Sequence, residues 1–434
     1  MILRDPVHGL VSFEADELSF VPRLMQTPEV QRLRRIRQLG LTSFAYPGAD
    51  HTRFSHAIGA AHVMTRFIGR LRSIHGDLPR AHQLTPEHVR DAVAAAFLHD
   101  LGHGPLSHLF EDAVPGAPRH ETWTLRILLD PSTAVHRCLG SVDPELPARV
   151  AELVQGRHPL AYLSSTVSGT FDVDRCDYLL RDAHFTGVGY GSFDLDWLIR
   201  SLRFGNPEAA NGSPPLAIDG VKGLPAIESF ILARLFMFQQ VYFHKASRAS
   251  EWHFTRILAR ARELLLDGSA PSPMPRAIEA LLCTGEVSLG DYLTLDDVVV
   301  WSTLASWQNA SDHILSDLCR RLYSRELFKT IELFGADATP GRYRELLEYA
   351  RQRARALGLD PEYYVGLDEA VDVPFDDSRD SLEVIFPNRT VRAPHEVSFI
   401  LGRLRRERLV RTRLVLPQEV RDMVNERVSE RSRA

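Results

Sequence analysis

The stretch His99-Asp100-Leu101-Gly102-His103-Gly104-Pro105-Leu106-Ser107-His108 constrains this chain more than any other. It is entered through the apolar run Ala92-Val93-Ala94-Ala95-Ala96-Phe97-Leu98, which reads as a helix buried on most of its faces. A buried helix does not end in three histidines and a carboxylate by accident. Continued to His103, the helix sets His99 and His103 one turn apart on one face, with Asp100 able to reach the same metal ion. Gly102, Gly104 and Pro105 then break it, and the last histidine rides on a tight turn beside the first two.

The rest of the chain reads as mostly α. Thr27-Pro28-Glu29 carries cap chemistry and predicts a helix with Val30, Leu33, Ile36 and Leu39 on one stripe, ended by Gly40. The segment His51 to Ile74 predicts one long helix, and Thr85-Pro86-Glu87 opens another. Further helices are expected through His120 to Leu125, from Pro147 to Gln155, over Phe230 to Leu265 and from Leu295 to about Gly358. Short strands are expected at Leu10 to Phe13 and on either side of the Gly205–Pro215 loop, at Leu202 to Phe204 and Leu216 to Ile218. After Tyr363 the pattern turns mixed, with strand character in Leu382 to Phe386 and Arg411 to Leu416. The domain expectation is a core over residues 1–330, with the metal site within 50–185, and a small α+β region over 331–434.

Composition sets outer bounds. With 44% hydrophobic and 25% charged residues, 434 residues can build a sizeable core. A net charge of -5 gives no footprint of a nucleic-acid coat. Four cysteines without pair spacing offer neither a disulfide framework nor a thiolate zinc knuckle. The first residues lack a basic segment followed by an apolar one, and no apolar run has membrane-spanning length, so the expected location is the cytoplasm, away from membranes.

Borderline divalent ions take imidazole nitrogen and carboxylate oxygen from well-separated parts of a chain, and helices hold such ligands while leaving positions open for water. His56 in Arg53-Phe54-Ser55-His56 is an upstream candidate, His99-Asp100 the central pair, and Asp174 in Asp172-Val173-Asp174-Arg175-Cys176-Asp177-Tyr178 the downstream carboxylate. Two histidines and two aspartates leave room for water and a phosphate oxygen, the layout of a metal-assisted phosphohydrolase.

The order His, His-Asp, Asp resembles the HD-domain phosphohydrolase superfamily. Blocks at Asp5-Pro6-Val7-His8-Gly9, Gln31 to Arg34, Gln38-Leu39-Gly40, Tyr46 to Ala49, His51 to His56, His99 to His108, His120-Glu121 and Asp172 to Asp182 are similar to its deoxynucleoside triphosphate triphosphohydrolase branch. That branch includes the HD core of the vertebrate sterile-alpha-motif/HD enzyme and bacterial relatives. The resemblance covers roughly residues 1–330 and implies an HD-domain helical fold with short β-hairpin insertions.

It further implies a metal (iron, manganese or zinc, with magnesium on the triphosphate) held by His56, His99, Asp100 and Asp174. The implied catalytic group is His103, His108, Glu111 and His120 together with Asp174, with His108 near the leaving 5′ oxygen and Glu111 orienting it. Arg53 and Arg175 would grip phosphates, Arg175 standing where the vertebrate enzyme has lysine. Gln38, Leu39, Tyr178 and Asp182 would meet the sugar, and Tyr242 would pack near base or sugar. Gln31 and Arg34 match an activator pocket, although Gln26 replaces the aspartate that reads guanine there. A dNTP substrate, a nucleotide activator and a homo-oligomer, from dimer to tetramer or hexamer, follow as expectations.

Two rivals stand beside this reading. One is another HD phosphoesterase, a nucleotide phosphodiesterase or single-strand nuclease; the other is a nucleotide-sensing or antiphage protein that binds without turnover. Asp172 and Asp177 are read equally well as a solvated acidic face, Arg32, Arg35 and Arg37 as a solvated or oligomer surface, and His8 and His51 as structural or exposed.

Overall fold

The computed structural model describes residues 1–206, 212–335, 338–376 and 382–431. An N-terminal hairpin pairs β1 (Ile2–Asp5) with β2 (Gly9–Ser12). The helices α1 (Val21–Leu24), α2 (Pro28–Arg32), α3 (Arg53–Ile74), α4 (Pro86–Leu98), α5 (His108–Ala113) and α6 (His120–Leu129) follow. Next come α7 (Ala134–Gly140), α8 (Leu146–Val154), α9 (Ala161–Ser168), α10 (Val173–Thr186) and α11 (Leu195–Arg200). The strands β3 (Leu202–Phe204) and β4 (Leu216–Asp219) pair antiparallel as their spacing predicts, and residues 207–211 of the loop between them lie outside the described residues. Beyond them stand α12 (Leu224–Met237), α13 (Lys245–Leu266), α14 (Arg276–Thr284), α15 (Leu289–Tyr292), α16 (Asp297–Trp307) and α17 (His313–Tyr323). The C-terminal part adds β5 (Lys329–Glu332), α18 (Pro340–Ala356), β6 (Gly366–Asp372), β7 (Glu383–Ile385), β8 (Val391–Arg392) and β9 (Leu409–Leu416).

The strands form a four-stranded sheet in the order β3-β4-β7-β8 and a three-stranded sheet in the order β5-β9-β6. Among the described strands only β4 and β7 pair parallel, across a long crossover. The fold is therefore mostly α with short hairpins and a small α+β C-terminal region. Among the described residues no helix is long and apolar enough to cross a membrane.

Two apolar cores hold these elements. One gathers Phe67, Phe97, Phe171 and Phe230 around α3, α4, α10 and α12. The other gathers Trp123, Phe254, Trp307 and Phe328 around α13, α16 and α17. Each such side chain, fully buried, contributes about 1.5–3 kcal/mol. The segment after α4 runs from one core into the other, Leu101 belonging to the first and Leu106 to the second.

Four expectations are corrected. The helix opened by Thr27 ends at Arg32, tightens into a 3-10 turn over Leu33–Arg35, and turns extended at Ile36, because Arg37 bridges to Thr52 in strand fashion. The stretch Phe230 to Leu265 is two helices: after α12 the chain widens into a π turn over Phe238–Tyr242, and His244 caps α13 by accepting from the Ala246 amide at 3.3 Å. The stretch from Leu295 to Gly358 contains the strand β5, which completes its sheet against β9. Finally α4 stops at Leu98, with His99 as its C-cap, so His99 and His103 do not share a helix face. The amide of Gly102 donates to Thr124 Oγ1 at 2.9 Å and Tyr292 Oη donates to the Gly102 carbonyl at 2.6 Å, pinning a turn where another helical turn would run. A Cβ on Gly102 would meet the His120 carbonyl oxygen at 2.1 Å, so only glycine lets this turn pack on α6.

Candidate active site

Three elements bring the predicted ligands together: α3 supplies His56, the end of α4 supplies His99 and Asp100, and the first turn of α10 supplies Asp174. Their ligand atoms lie within 4.8 Å of one another. Asp174 Oδ1 is 3.0 Å from His56 Nε2 and 3.4 Å from His99 Nε2, and Asp100 approaches the same nitrogens at 3.6 and 3.5 Å. An ion about 2.1 Å from each ligand needs ligand-to-ligand edges of roughly 3.0 to 3.4 Å. The second ring nitrogens fix the tautomers: His56 Nδ1 bonds Asp177 Oδ2 at 2.8 Å and His99 Nδ1 bonds the Ala96 carbonyl at 3.0 Å. Both Nε2 lone pairs then face the gap between the carboxylates, and the donor set fits a divalent cation.

The electrostatics agree. Burial alone would lower His56, but Asp174 and Asp177 override it and raise it to about 10. Burial also works to lower His99, while Asp100 and Asp174 lift it to about 9. Such a cage retains positive charge, and a metal ion can supply it in place of protons.

A second group stands beside the first. His103, His108, Glu111 and His120 also place ligand-type atoms within 4.8 Å of one another. Glu111 Oε1 is 2.7 Å from His108 Nδ1 and 3.3 Å from His120 Nδ1, and Oε2 accepts from the His120 amide at 2.7 Å. Burial would raise Glu111, but its bonds to His108 and His120 hold it well below the usual carboxylate range. His103 and His120 stack at 3.7 Å, and burial with Arg53 nearby keeps His103 far below its ordinary value. Asp100 Oδ1 is 3.3 Å from His103 Nε2, so this carboxylate stands between the two groups.

Arg53, buried, bonds Asp100 and donates from Nε to Ser107 Oγ at 2.8 Å. Leu106 and Ser107 both take left-handed backbone angles, φ 55° and 60°. This costly turn is held by Asp297, which accepts from the Leu106 amide at 2.7 Å and the Arg37 amide at 2.9 Å, and by Ser107 Oγ donating to the Arg37 carbonyl. The turn aims Arg53, Ser107 and His108 at one end of a cavity of about 470 Å³. Gln38, Leu39, Tyr178, Asp182 and Tyr242 line the same cavity. Tyr242 Oη donates to Asp182 Oδ2 at 2.8 Å, and His51 Nε2 bonds Asp182 Oδ1 at 2.7 Å.

Other predicted residues lie elsewhere. Arg175 bonds Asp172 Oδ2 at 2.6 Å and the Gly169 carbonyl, and lines a neighbouring cavity of about 290 Å³ with Arg234. Gln31 and Arg34 pair with each other at 2.8 Å, Arg34 lying over the Phe54 ring. The solvated-face reading of Asp172 and Asp177 is corrected: both are buried, Asp172 capping α10 through the Arg175 amide. Arg32 is also buried, donating from Nε to the Leu295 carbonyl.

The residues that sequence reasoning passed over are the supports. Asp177 accepts from His56, from His8 Nε2 at 2.7 Å and from both Nε and Nη2 of Arg181. Arg181 in turn reaches Asp5, whose other oxygen accepts the Val7 and His8 amides. The N-terminal hairpin thus anchors the metal cage. Asp174, Asp177 and Arg181 fall three to four residues apart, a charged stripe on one face of α10 that signals a buried network.

Comparison with known proteins gives three findings. The family model described as HD associated region matches residues 193–431. The uncharacterised protein YwfO of Bacillus subtilis is 35% identical over 376 residues, covering 86% of this chain and 81% of YwfO, and the deoxynucleoside triphosphate triphosphohydrolase SAMHD1 homolog of Dictyostelium discoideum is 32% identical over 43% of this chain and 36% of its own length. Among solved structures, a phosphohydrolase of Bacteroides thetaiotaomicron superposes with a TM-score of 0.80 at 30% identity, covering 96% of this chain and all of that one.

Proposed function

Because the chain belongs to the HD-domain phosphohydrolases that carry an HD associated region and are related to SAMHD1, we propose that it hydrolyses deoxynucleoside triphosphates to deoxynucleoside and inorganic triphosphate. The observation that carries the reading is a buried arginine that bonds the four-ligand cage through Asp100 and lines one cleft together with His108 of the His–Glu pair and an aspartate oriented by a histidine and a tyrosine.

Each group has a physical task. A divalent ion held by His56, His99, Asp100 and Asp174 would polarise a phosphate oxygen and lower the pKa of water. Arg53 presents Nη2, which has no protein partner among the described residues, to phosphate oxygens, while Nε and Nη1 are locked by Ser107 and Asp100. His108, exposed and backed by the ionised Glu111, donates a proton to the leaving 5′ oxygen. Asp182 accepts the 3′ hydroxyl, and Gln38 with Leu39 closes against the 2′ carbon, which favours deoxyribose.

The proposal extends to a cytoplasmic enzyme with its catalytic core in residues 1–330, assembled as a homo-oligomer and activated by a nucleotide near Gln31 and Arg34. It is tested by incubating manganese- or iron-loaded protein with each dNTP and NTP, singly and mixed. Deoxynucleoside plus triphosphate, abolished by Asp100→Ala, supports it. Monophosphate with pyrophosphate returns the choice to a phosphodiesterase or nuclease, and binding without product returns it to a sensor.

A further inference from the structure

The cleft has a polar end that neither the metal cage nor the sugar contacts use. There α13 contributes Arg248, Glu251 and Trp252, β6 contributes Asp368, and α5 contributes Asp112. Arg248 is held by both carboxylates, which take three of its five N–H groups: Nε and Nη2 meet Asp368 at 3.1 and 2.5 Å, and Nη1 meets Glu251 Oε2 at 2.8 Å. Glu251 Oε1, by contrast, forms no hydrogen bond among the described residues. Asp112 is paired with Arg119, and Glu251 with Asp368 against Arg248 leaves this end net acidic, while Trp252, Phe243 and Phe238 line the space beside them. Burial, with Asp368 and Asp112 close by and despite Arg248, raises Glu251 to about 7, the mark of a carboxylate short of hydrogen-bond donors.

From this geometry we infer that Glu251 reads the nucleobase: the acid end of the cleft accepts a base that presents N–H donors, guanine foremost and thymine last. Guanine offers adjacent N1–H and amino donors that one carboxylate takes together. Adenine and cytosine offer an amino group. Thymine offers one N–H, flanked by two carbonyls that would face the carboxylate oxygens, where guanine brings two donors side by side. Arg248 acts as a positioning residue, tying Glu251 to Asp368 so that Oε1 stays aimed at the cleft. A site whose buried polar group is left unpaired by the wrong ligand discriminates by a factor of about ten or more.

The inference rests on the proposed dNTP reading, and the test separates the two. Affinities of the four α,β-imido deoxynucleoside triphosphates are measured by calorimetry on the metal-loaded full chain, wild type and Glu251→Gln, beside product analysis with the natural dNTPs. The expected result is guanine bound about tenfold or more tighter than thymine, with the ratio shrinking toward one in Glu251→Gln, whose amide offers a donor as well as an acceptor. Because the readout is a ratio between ligands on one protein, a general loss of folded molecules cancels. Equal affinity for all four bases, or a preference that Glu251→Gln leaves unchanged, overturns the inference, while triphosphate release would leave the hydrolase reading intact. No binding of any of the four overturns both.

Discussion

Asp177 Oδ2 lies 2.8 Å from His56 Nδ1, joining a carboxylate that touches none of the predicted metal ligands' open positions to the ring that supplies one of them. The same carboxylate takes two bonds from Arg181 and one from His8, so the orientation of His56 is set by the N-terminal hairpin as much as by its own helix. A Cβ on Gly59 would sit 1.9 Å from Asp177 Oδ1, and that glycine is what lets α10 lie close enough to α3 for the link.

Asp177→Asn keeps the shape and removes the charge that holds the His56 tautomer. Metal affinity is expected to fall about 10- to 100-fold, read by competition with a chromophoric chelator. Unchanged affinity would show that Asp177 only braces α10 against α3.

His108 stands outside the four-ligand cage and is exposed, with Glu111 at 2.7 Å. His108→Asn is expected to lower kcat by about 10² to 10⁴ while the bound metal per chain stays at the wild-type value. Loss of metal together with activity would instead assign the histidine to the cage.

Tyr242→Phe removes the hydroxyl that donates to Asp182 Oδ2. One hydrogen bond is worth about 1 kcal/mol, so KM for a dNTP should change by about fivefold, and discrimination between a dNTP and its ribonucleotide should weaken. Steady-state kinetics on a matched nucleotide pair checks both.

His253 is buried and stacked on Phe328 at 4.2 Å. Burial pushes it down to about 3, well below the unfolded value of about 6.5. The unfolded chain therefore binds the proton first as pH falls, and stability is lost from about pH 6.5 downward. Thermal unfolding should show a Tm that drops between about pH 7 and pH 5, and the drop should shrink in His253→Leu.

How far the sequence spoke depended on distance along the chain. His99-Asp100 declared itself because the apolar run before it is local, and Asp174 because acidic residues recur on one helix. The pairing of Asp177 with Arg181 was legible at i,i+4 spacing, yet its burial was not, since the groups that bury it come from Asp5, His8 and α3. The end of α4 at Leu98 escaped for the same reason: what stops the helix is Thr124 and Tyr292, remote in sequence. The break between α12 and α13 has no Pro or Gly to mark it; it appears only where Tyr242 turns toward Asp182. Nothing local to α13 sets Glu251 apart from its neighbouring charges; what does is Asp368 of β6, which folds against Arg248.

The most direct test of the account is hydrolysis in H₂¹⁸O, with the label located by mass spectrometry. Attack of water at the α-phosphorus with cleavage to the 5′ oxygen puts one ¹⁸O into inorganic triphosphate and none into the deoxynucleoside. Label in a nucleoside monophosphate or in pyrophosphate would contradict the assignment of the cleft, and unlabelled products with no triphosphate from any dNTP would contradict the hydrolase reading itself.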